Sequence, residues 1–358
     1  MKKLACSVLA LTLATGLSVG TSAPALAGDP ASQSARFLTK QLDGYLVHND
    51  EFDFDDYGLS IDVGFALNEM DQTRNAKKIA KAVAAHVDSY TTGVDFMSSD
   101  IYAGPTAKAA AFTLATGGDA TDVGGVDLLK RLNKRVAKYG PIRGRIQDKG
   151  NSDSANVIGQ SFAVQALLLG SPSKRGLEAL GFLLAQQCKG GYFRLNFTAD
   201  KSAENQTCDG GKKKTTSAPD TDATALVVLS LLELPRPRGV YVDRAINKAT
   251  AWLARTQAKN GSWGGGPSTE AENGNSTGLA ARALGATGEC GRASRAADYL
   301  LRKLTVTGVS GENGAIAYDK AALKTAKDGI SAEERDQFVR TSAQAAPALL
   351  YVVIDGCD

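Results

Sequence analysis

Phe182 to Phe193, FLLAQQCKGGYF, and Trp252 to Trp263, WLARTQAKNGSW, can be laid on each other residue for residue. In each, an aromatic and a Leu are followed by Gln, Lys, Gly and a closing aromatic. These are Phe182, Leu183, Gln187, Lys189, Gly191 and Phe193 in one copy, and Trp252, Leu253, Gln257, Lys259, Gly261 and Trp263 in the other. Such self-similarity means that one supersecondary unit has been copied. The apolar pair anchors the end of a helix, the Gly permits the positive φ that stops it, and the closing ring packs back over the last turn. On this reading the residues hold neighbouring hairpins together and do no chemistry.

Working outward, apolar residues at helical spacing predict outer helices near Ser32–Leu42, Arg74–Ser89, Gly125–Lys138, Lys174–Gln187, Val242–Gln257 and Ala293–Leu304. Each is followed by a helix rich in Ala, Val, Leu, Gly, Ser and Thr: Gly58–Met70, Thr106–Thr116, Ser154–Leu169, Thr221–Leu232, Thr277–Ala286 and Thr341–Ile354. A helix apolar on nearly every side must be buried on nearly every side, so the second set forms an inner ring walled off by the first. The expectation is all-α: an (α/α)6 toroid of about six helical hairpins in two concentric rings.

The order aromatic-Leu, Gln, Gly, aromatic resembles the QW repeat of the squalene cyclase and prenyltransferase superfamily. The second copy fits it fully, and the first ends in Phe193. The resemblance implies an α/α toroid and is closest to small secreted toroid-repeat proteins. Asp220-Thr221-Asp222-Ala223-Thr224-Ala225 resembles the DxDDTA element of class II terpene cyclases. Carried over, Asp222 is the acid that protonates an alkene or epoxide, Asp220 is its partner, and Ala223 stands where the third aspartate would be. Asp53-Phe54-Asp55-Asp56 matches the four-residue pattern but runs into Tyr57-Gly58. Setting Leu67 against Leu231 brings Asp56 level with Asp220 and leaves Asp53 and Asp55 on the preceding loop. For Asp56 and Asp220 the competing reading is helix N-capping.

Composition limits the chemistry. The chain has two Trp, few for a cavity that must steady a migrating carbocation with π-faces. A prenyltransferase zinc site is not visible on the inner helices, and both histidines, His48 and His86, lie elsewhere; His86 reads as a partly buried structural residue. The thioester element of complement-type toroids is absent. Tyr102, Tyr192, Arg143, Arg145 and Asn196 fall on rim loops where a polysaccharide lyase would place its base and neutralisers, although no spacing singles them out.

Lys2 and Lys3, an apolar run from Leu4 to Val19 and Ala25-Leu26-Ala27 read as a signal peptide over 1–27, leaving one domain over 28–358 that is released outside the cell. The formal charge of +3 falls to +1 without those lysines, which argues for neither a nucleic-acid partner nor a stable membrane anchor. Lys212-Lys213-Lys214 reads as a solvated loop. The remaining cysteines, Cys188, Cys208, Cys290 and Cys357, make two disulfides the natural expectation, with Cys188–Cys208 and Cys290–Cys357 the favoured pairing.

The resulting expectation is a secreted, non-catalytic toroid that binds a small molecule, a glycan or a protein, without a cofactor or metal. The alternatives are an isoprenoid-processing, terpene cyclase-like enzyme using Asp222, and a cobalamin-carrier-like binder. Candidate ligand-binding residues are Asp53, Asp55, Asp56, Tyr57, Tyr102, Tyr192, Trp263 and Tyr318, with Tyr45, all on the intra-hairpin loops.

Overall fold

The computed structural model describes residues 29–210 and 217–352. The expected signal peptide, Lys212-Lys213-Lys214 and Cys357 lie outside the described residues. The outer helices are α1 (Pro30–Lys40), α3 (Thr73–Ala85) continued by α4 (Val87–Thr91), α6 (Leu128–Asn133), α8 (Lys174–Leu184), α10 (Val240–Thr256) and α12 (Cys290–Lys303). The inner helices are α2 (Tyr57–Glu69), α5 (Ala103–Ala115), α7 (Val157–Gly170), α9 (Thr221–Leu232), α11 (Gly274–Ala286) and α14 (Ala332–Ala345). Each inner helix packs on the next and α14 packs back on α2, so the ring closes. The fold is an all-α toroid, as the periodicity implies.

The two repeat copies take the same geometry. Gln187 Nε2 donates to the Gly191 carbonyl (2.8 Å) and to Ala245 of α10 (2.8 Å). Gln257 Nε2 does the same to Gly261 (3.0 Å) and Arg292 of α12 (3.0 Å). Gly191 and Gly261 both have φ of 98°, and each lies against a carbonyl of the next outer helix. The Trp263 indole donates to the Leu253 carbonyl (3.1 Å), so the closing ring does pack back on its own helix. Two further glycines repeat the contact without the rest of the signature. Gly144 lies against Glu178 of α8, and Gly314 lies against Gln33 of α1, where Ser34 Oγ also donates to the Gly314 carbonyl (2.7 Å). That last contact joins the final hairpin to the first helix.

A second rule sets the inner helices. The backbone N–H of the segment returning from an outer helix donates to a side chain on the inner helix that follows. The pairs are Val47 with Ser60 (2.8 Å), Ile146 with Gln160 (2.8 Å), Phe193 with Thr224 (2.9 Å), Trp263 with Thr277 (3.1 Å) and Ile316 with Ser342 (2.8 Å). In the first four, the acceptor stands four residues after the N-cap, which is Asp56, Asn156, Asp220 or Asn273.

Several boundaries differ from expectation. Helix α6 is short because Val123 and Val126 pair across a Gly124-Gly125 turn and Asp127 caps the helix only afterwards. The last inner helix starts at Ala332, capped by Ser331, and tightens into a 3-10 segment, Ala346–Tyr351, at Pro347. Its polar first turn concealed it. The loop after α1 carries a small antiparallel sheet, β1 (Leu42–Asp43), β2 (Leu46–Asn49) and β3 (Phe54–Asp55), and the loop before α14 carries the short helix α13 (Lys320–Thr325). His86 is exposed, not partly buried, because it falls at the α3–α4 junction; its ring stacks on Tyr57 at 5.5 Å. Cys188 and Cys208 are bridged. Cys290 begins α12, and its expected partner lies outside the described residues.

A Cβ at Gly261 would come within 2.6 Å of the Arg295 carbonyl oxygen, whereas at Gly308, which also has positive φ, it would meet open space. Gly261→Ala is expected to cost roughly 2–4 kcal/mol and Gly308→Ala roughly 1 kcal/mol, read by urea unfolding. Equal costs would mean that backbone strain, not the inter-hairpin contact, sets the requirement.

Candidate functional site

Because the inner helices all run from the intra-hairpin loops toward the inter-hairpin connections, the ring has two chemically different faces. The first contains the aspartate motif. Asp220 caps α9 by accepting from Ala223 N (2.8 Å), and Asp56 caps α2 by accepting from Leu59 N (2.7 Å). Asp56 also pairs with Arg340 of α14 (3.1 Å), across the seam of the ring. Thr224 accepts from Phe193 N and donates to the Asp220 carbonyl (2.6 Å). Three of the residues that carry the motif resemblance therefore have structural work.

Asp222 does not fit that account. It is partly buried as a residue, yet its Oδ1 is shielded from solvent and has no hydrogen-bond partner, and neither does Ser276 Oγ on α11. The Gly264–Gly266 segment lies over both, with Gly265 against Ser276 Oγ and Asp222 Oδ2 and Gly266 against Asp220. Burial pushes the Asp222 carboxyl up to about 6; the adjacent Ser276 hydroxyl, close to the carboxyl but outside full hydrogen-bond geometry, opposes this and the Asp220 charge adds to it. Burial also raises Asp220, and Tyr318 is raised by burial and by the charge of Asp222.

The rim candidates do not form one site. Asp55 and Asp53 flank the His48 ring at 3.0 and 3.5 Å, and Asp53 is solvent-exposed. Tyr57 packs on His86 and edge-on to Tyr90. The Tyr45 hydroxyl accepts from Lys78 (2.6 Å). Tyr102 precedes α5, where its carbonyl accepts from Thr106. Tyr192 donates to the Ser217 carbonyl (2.7 Å) and leans on Trp252. Trp263, expected on an exposed rim, is 3% exposed because its ring fills the hairpin junction. Arg145 is buried against Asp153 and Arg143 pairs with Glu178, so neither is an unpaired neutraliser.

The second face is the mouth of a central cavity of about 600 Å³. Its apolar wall includes Phe65, Phe162, Leu226, Leu229, Leu279 and Tyr351. Phe65 stacks on Phe162 at 5.8 Å and meets Phe112 edge-on at 5.0 Å. Polar groups sit at two levels. Lys108 pairs with Asp62 (2.7 Å) and donates to the Gly58 carbonyl (2.9 Å). Nearer the mouth Arg282 pairs with Glu69 (2.6 Å) and donates weakly to the Gln344 carbonyl (3.4 Å). Glu233 at the mouth is raised by burial and by the nearby Glu69 charge. Asp222 is not among the lining residues; Leu226, one turn further along α9, is. The cavity thus opens away from every rim candidate. The charges that interrupt otherwise apolar helices, Asp62, Glu69, Lys108 and Arg282, are its signal in the sequence.

No family model and no curated protein matches the sequence. Solved structures do match in shape. A type II terpene cyclase, MstE from Scytonema, is 13% identical with a TM-score of 0.57, covering 90% of this chain and 96% of its own. A protein from Actinoplanes is 14% identical with a TM-score of 0.58, covering 90% and 98%. An unsaturated glucuronyl hydrolase from Bacillus sp. GL1, responsible for degrading glycosaminoglycan, is 12% identical with a TM-score of 0.55, covering 90% and 94%. These likenesses establish the α/α toroid; at this identity a shared fold carries no shared activity.

The raised Asp222 carboxyl has a stability consequence. The native state holds this proton more tightly than the unfolded chain, whose carboxyl titrates near 3.8. Its favourable contribution is therefore complete below that value and is lost as pH rises through about 6. Asp222→Asn is expected to reduce the loss of stability between pH 4 and 7 by roughly 1–3 kcal/mol, measured by denaturant unfolding at each pH. Asp220 retains part of the slope. An unchanged profile would place Asp222 in water.

Proposed function

We propose that this chain is a secreted, non-catalytic binding protein that holds a small amphipathic molecule, mostly apolar with one polar end, in the central cavity. The observation that supports it is the apolar wall built by Phe65, Phe162, Leu226, Leu229 and Leu279 beneath the Glu69–Arg282 pair. Its volume lies within the roughly 300–1,000 Å³ usual for small-molecule sites. The polar end of the ligand would meet Glu69, Glu233 and the inner-helix C-termini, a setting that suits a hydroxyl, amine or other hydrogen-bond donor. Export follows from the signal-peptide reading, and no helix among the described residues is long and apolar enough to cross a membrane.

A second reading, isoprenoid processing with Asp222 as acid, draws on its buried carboxyl and on the fold shared with the Scytonema cyclase. Against it, alkene protonation needs the acid in contact with the bound chain, and Asp222 is separated from the cavity lining.

Native mass spectrometry of the protein from its own culture supernatant should show a retained adduct, and calorimetry with farnesol as a C15 apolar alcohol should detect binding. Leu229→Trp, which fills the cavity, should remove the adduct and weaken farnesol binding at least tenfold, while Asp222→Asn leaves both intact. Farnesol binding that ignores Leu229→Trp would refute the cavity reading. Farnesol or a longer polyprenol converted to a cyclic product by wild type but not by Asp222→Asn would establish the second.

A further inference from the structure

The charges around the central cavity do not balance. Three acids and two bases line it, Asp62, Glu69 and Glu233 against Lys108 and Arg282. Asp62 is paired with Lys108 (2.7 Å) and Glu69 with Arg282 (2.6 Å), which leaves Glu233 without an ion-pair partner among the described residues. Burial and the Glu69 charge both hold the Glu233 carboxyl above its ordinary range. Arg238 opposes them, but it is not a lining residue and its Nη2 donates to the Leu232 carbonyl.

The backbone adds to the same imbalance. Glu69, Ala115, Leu232 and Ala286 end α2, α5, α9 and α11, and all four line the cavity, so four helix C-termini converge on its mouth. A helix C-terminus carries a partial negative charge and is ordinarily matched by Lys, Arg or His in the last turn. None of these four helices has a basic residue there. Two acids stand there instead, Glu69 as the last residue of α2 and Glu233 as the C-cap of α9. A mouth built in this way attracts a cation and repels a carboxylate or phosphate.

We propose that the cavity's ligand carries a protonated amine, which pairs with Glu233 at the mouth while its apolar body lies among Phe65, Phe162, Leu226 and Leu229. This rests on the cavity reading above and narrows it from any hydrogen-bond donor to a cation. Because Glu69 is already committed to Arg282, Glu233 is the carboxylate left for the ligand. An ammonium has three donors, enough for that carboxylate and for carbonyls at the ends of the inner helices, where an alcohol has one.

The test is calorimetry on the full chain at neutral pH with farnesylamine, farnesol and farnesoic acid, which share one apolar body and differ in the end group. Farnesylamine is expected to bind at least about tenfold more tightly than farnesol, the size of one charge-assisted hydrogen bond, and farnesoic acid more weakly than either. Glu233→Gln should bring the amine to within about threefold of the alcohol. N-acetylfarnesylamine, which removes the charge from the ligand and leaves the protein untouched, should lose the same advantage on the wild type, so the outcome does not depend on a variant that folds. Equal binding of amine and alcohol, both weakened by Leu229→Trp, overturns the cation and leaves the cavity reading standing. Amine binding that ignores Leu229→Trp lies outside the cavity and overturns the proposal. If none of the three binds, the cavity reading falls and takes this inference with it.

Discussion

The structure depends on one recurring buried hydrogen bond, from the backbone N–H that follows an outer helix to a hydroxyl or amide on the inner helix of the same hairpin. Ser60, Gln160, Thr224, Thr277 and Ser342 all serve in this way. The N–H belongs to a returning segment with no helical partner, and leaving it unpaired in the interior would cost on the order of 1–3 kcal/mol. Pairing it to a fixed position on the inner helix sets the height of that helix relative to its outer partner. With that height repeated around the ring, residues six past the cap, such as Asp62, Phe162, Leu226 and Leu279, reach a common level and line one cavity. The cavity is a product of register before it is a product of hydrophobicity.

Closure adds a second constraint. A stack of hairpins that did not meet itself would expose an apolar inner-helix face at each end. Here the last hairpin is joined to the first through Gly314 on α1, through Asp56 with Arg340, and through α14 on α2. The seam carries its own ion pairs. Arg335 pairs with Glu312 and reaches Gln41, while Arg340 is shared by Asp56 and Asp336. Such pairs add modest stability and tighter geometric specificity.

The fold was legible because its strongest signals are local. Two stretches that share Leu, Gln, Lys and Gly between flanking aromatics, and inner helices rich in small apolar residues, define the hairpins and their layers. The places where the sequence misled are those where a distant contact overrides local pattern. The polar turn Glu333-Glu334-Arg335-Asp336 reads as loop until Glu312 and Gln41 supply partners across the seam. The Gly144 and Gly314 contacts repeat those of Gly191 and Gly261, but the residues flanking them have diverged, so only backbone geometry relates them. The candidate site was less legible. Long loops place rim aromatics within reach of solvent, but a loop tyrosine such as Tyr192 gives no sequence sign that its hydroxyl is committed to the Ser217 carbonyl. The cavity, by contrast, is written in single charges on apolar helices, a signal that needs the inner-ring register to become readable.

That register also accounts for the acidic motif. Six parallel inner helices direct their N-termini to the long-loop face, and helix dipoles there favour carboxylates by about 0.3–1 kcal/mol each. Asp56 and Asp220 follow this preference and satisfy N–H groups as caps. For Asp222 the same dipole is opposed by removal from water, and its rise from 3.8 to about 6 corresponds to about 3 kcal/mol, so desolvation prevails. Two positions further along α9 than a cap, a carboxyl no longer meets the free N–H groups and faces the Ser276 hydroxyl instead. A resemblance to DxDDTA therefore arises wherever a capping Asp, the bridging Thr four residues later and a buried Asp between them coincide. Only that middle residue departs from what the toroid itself requires.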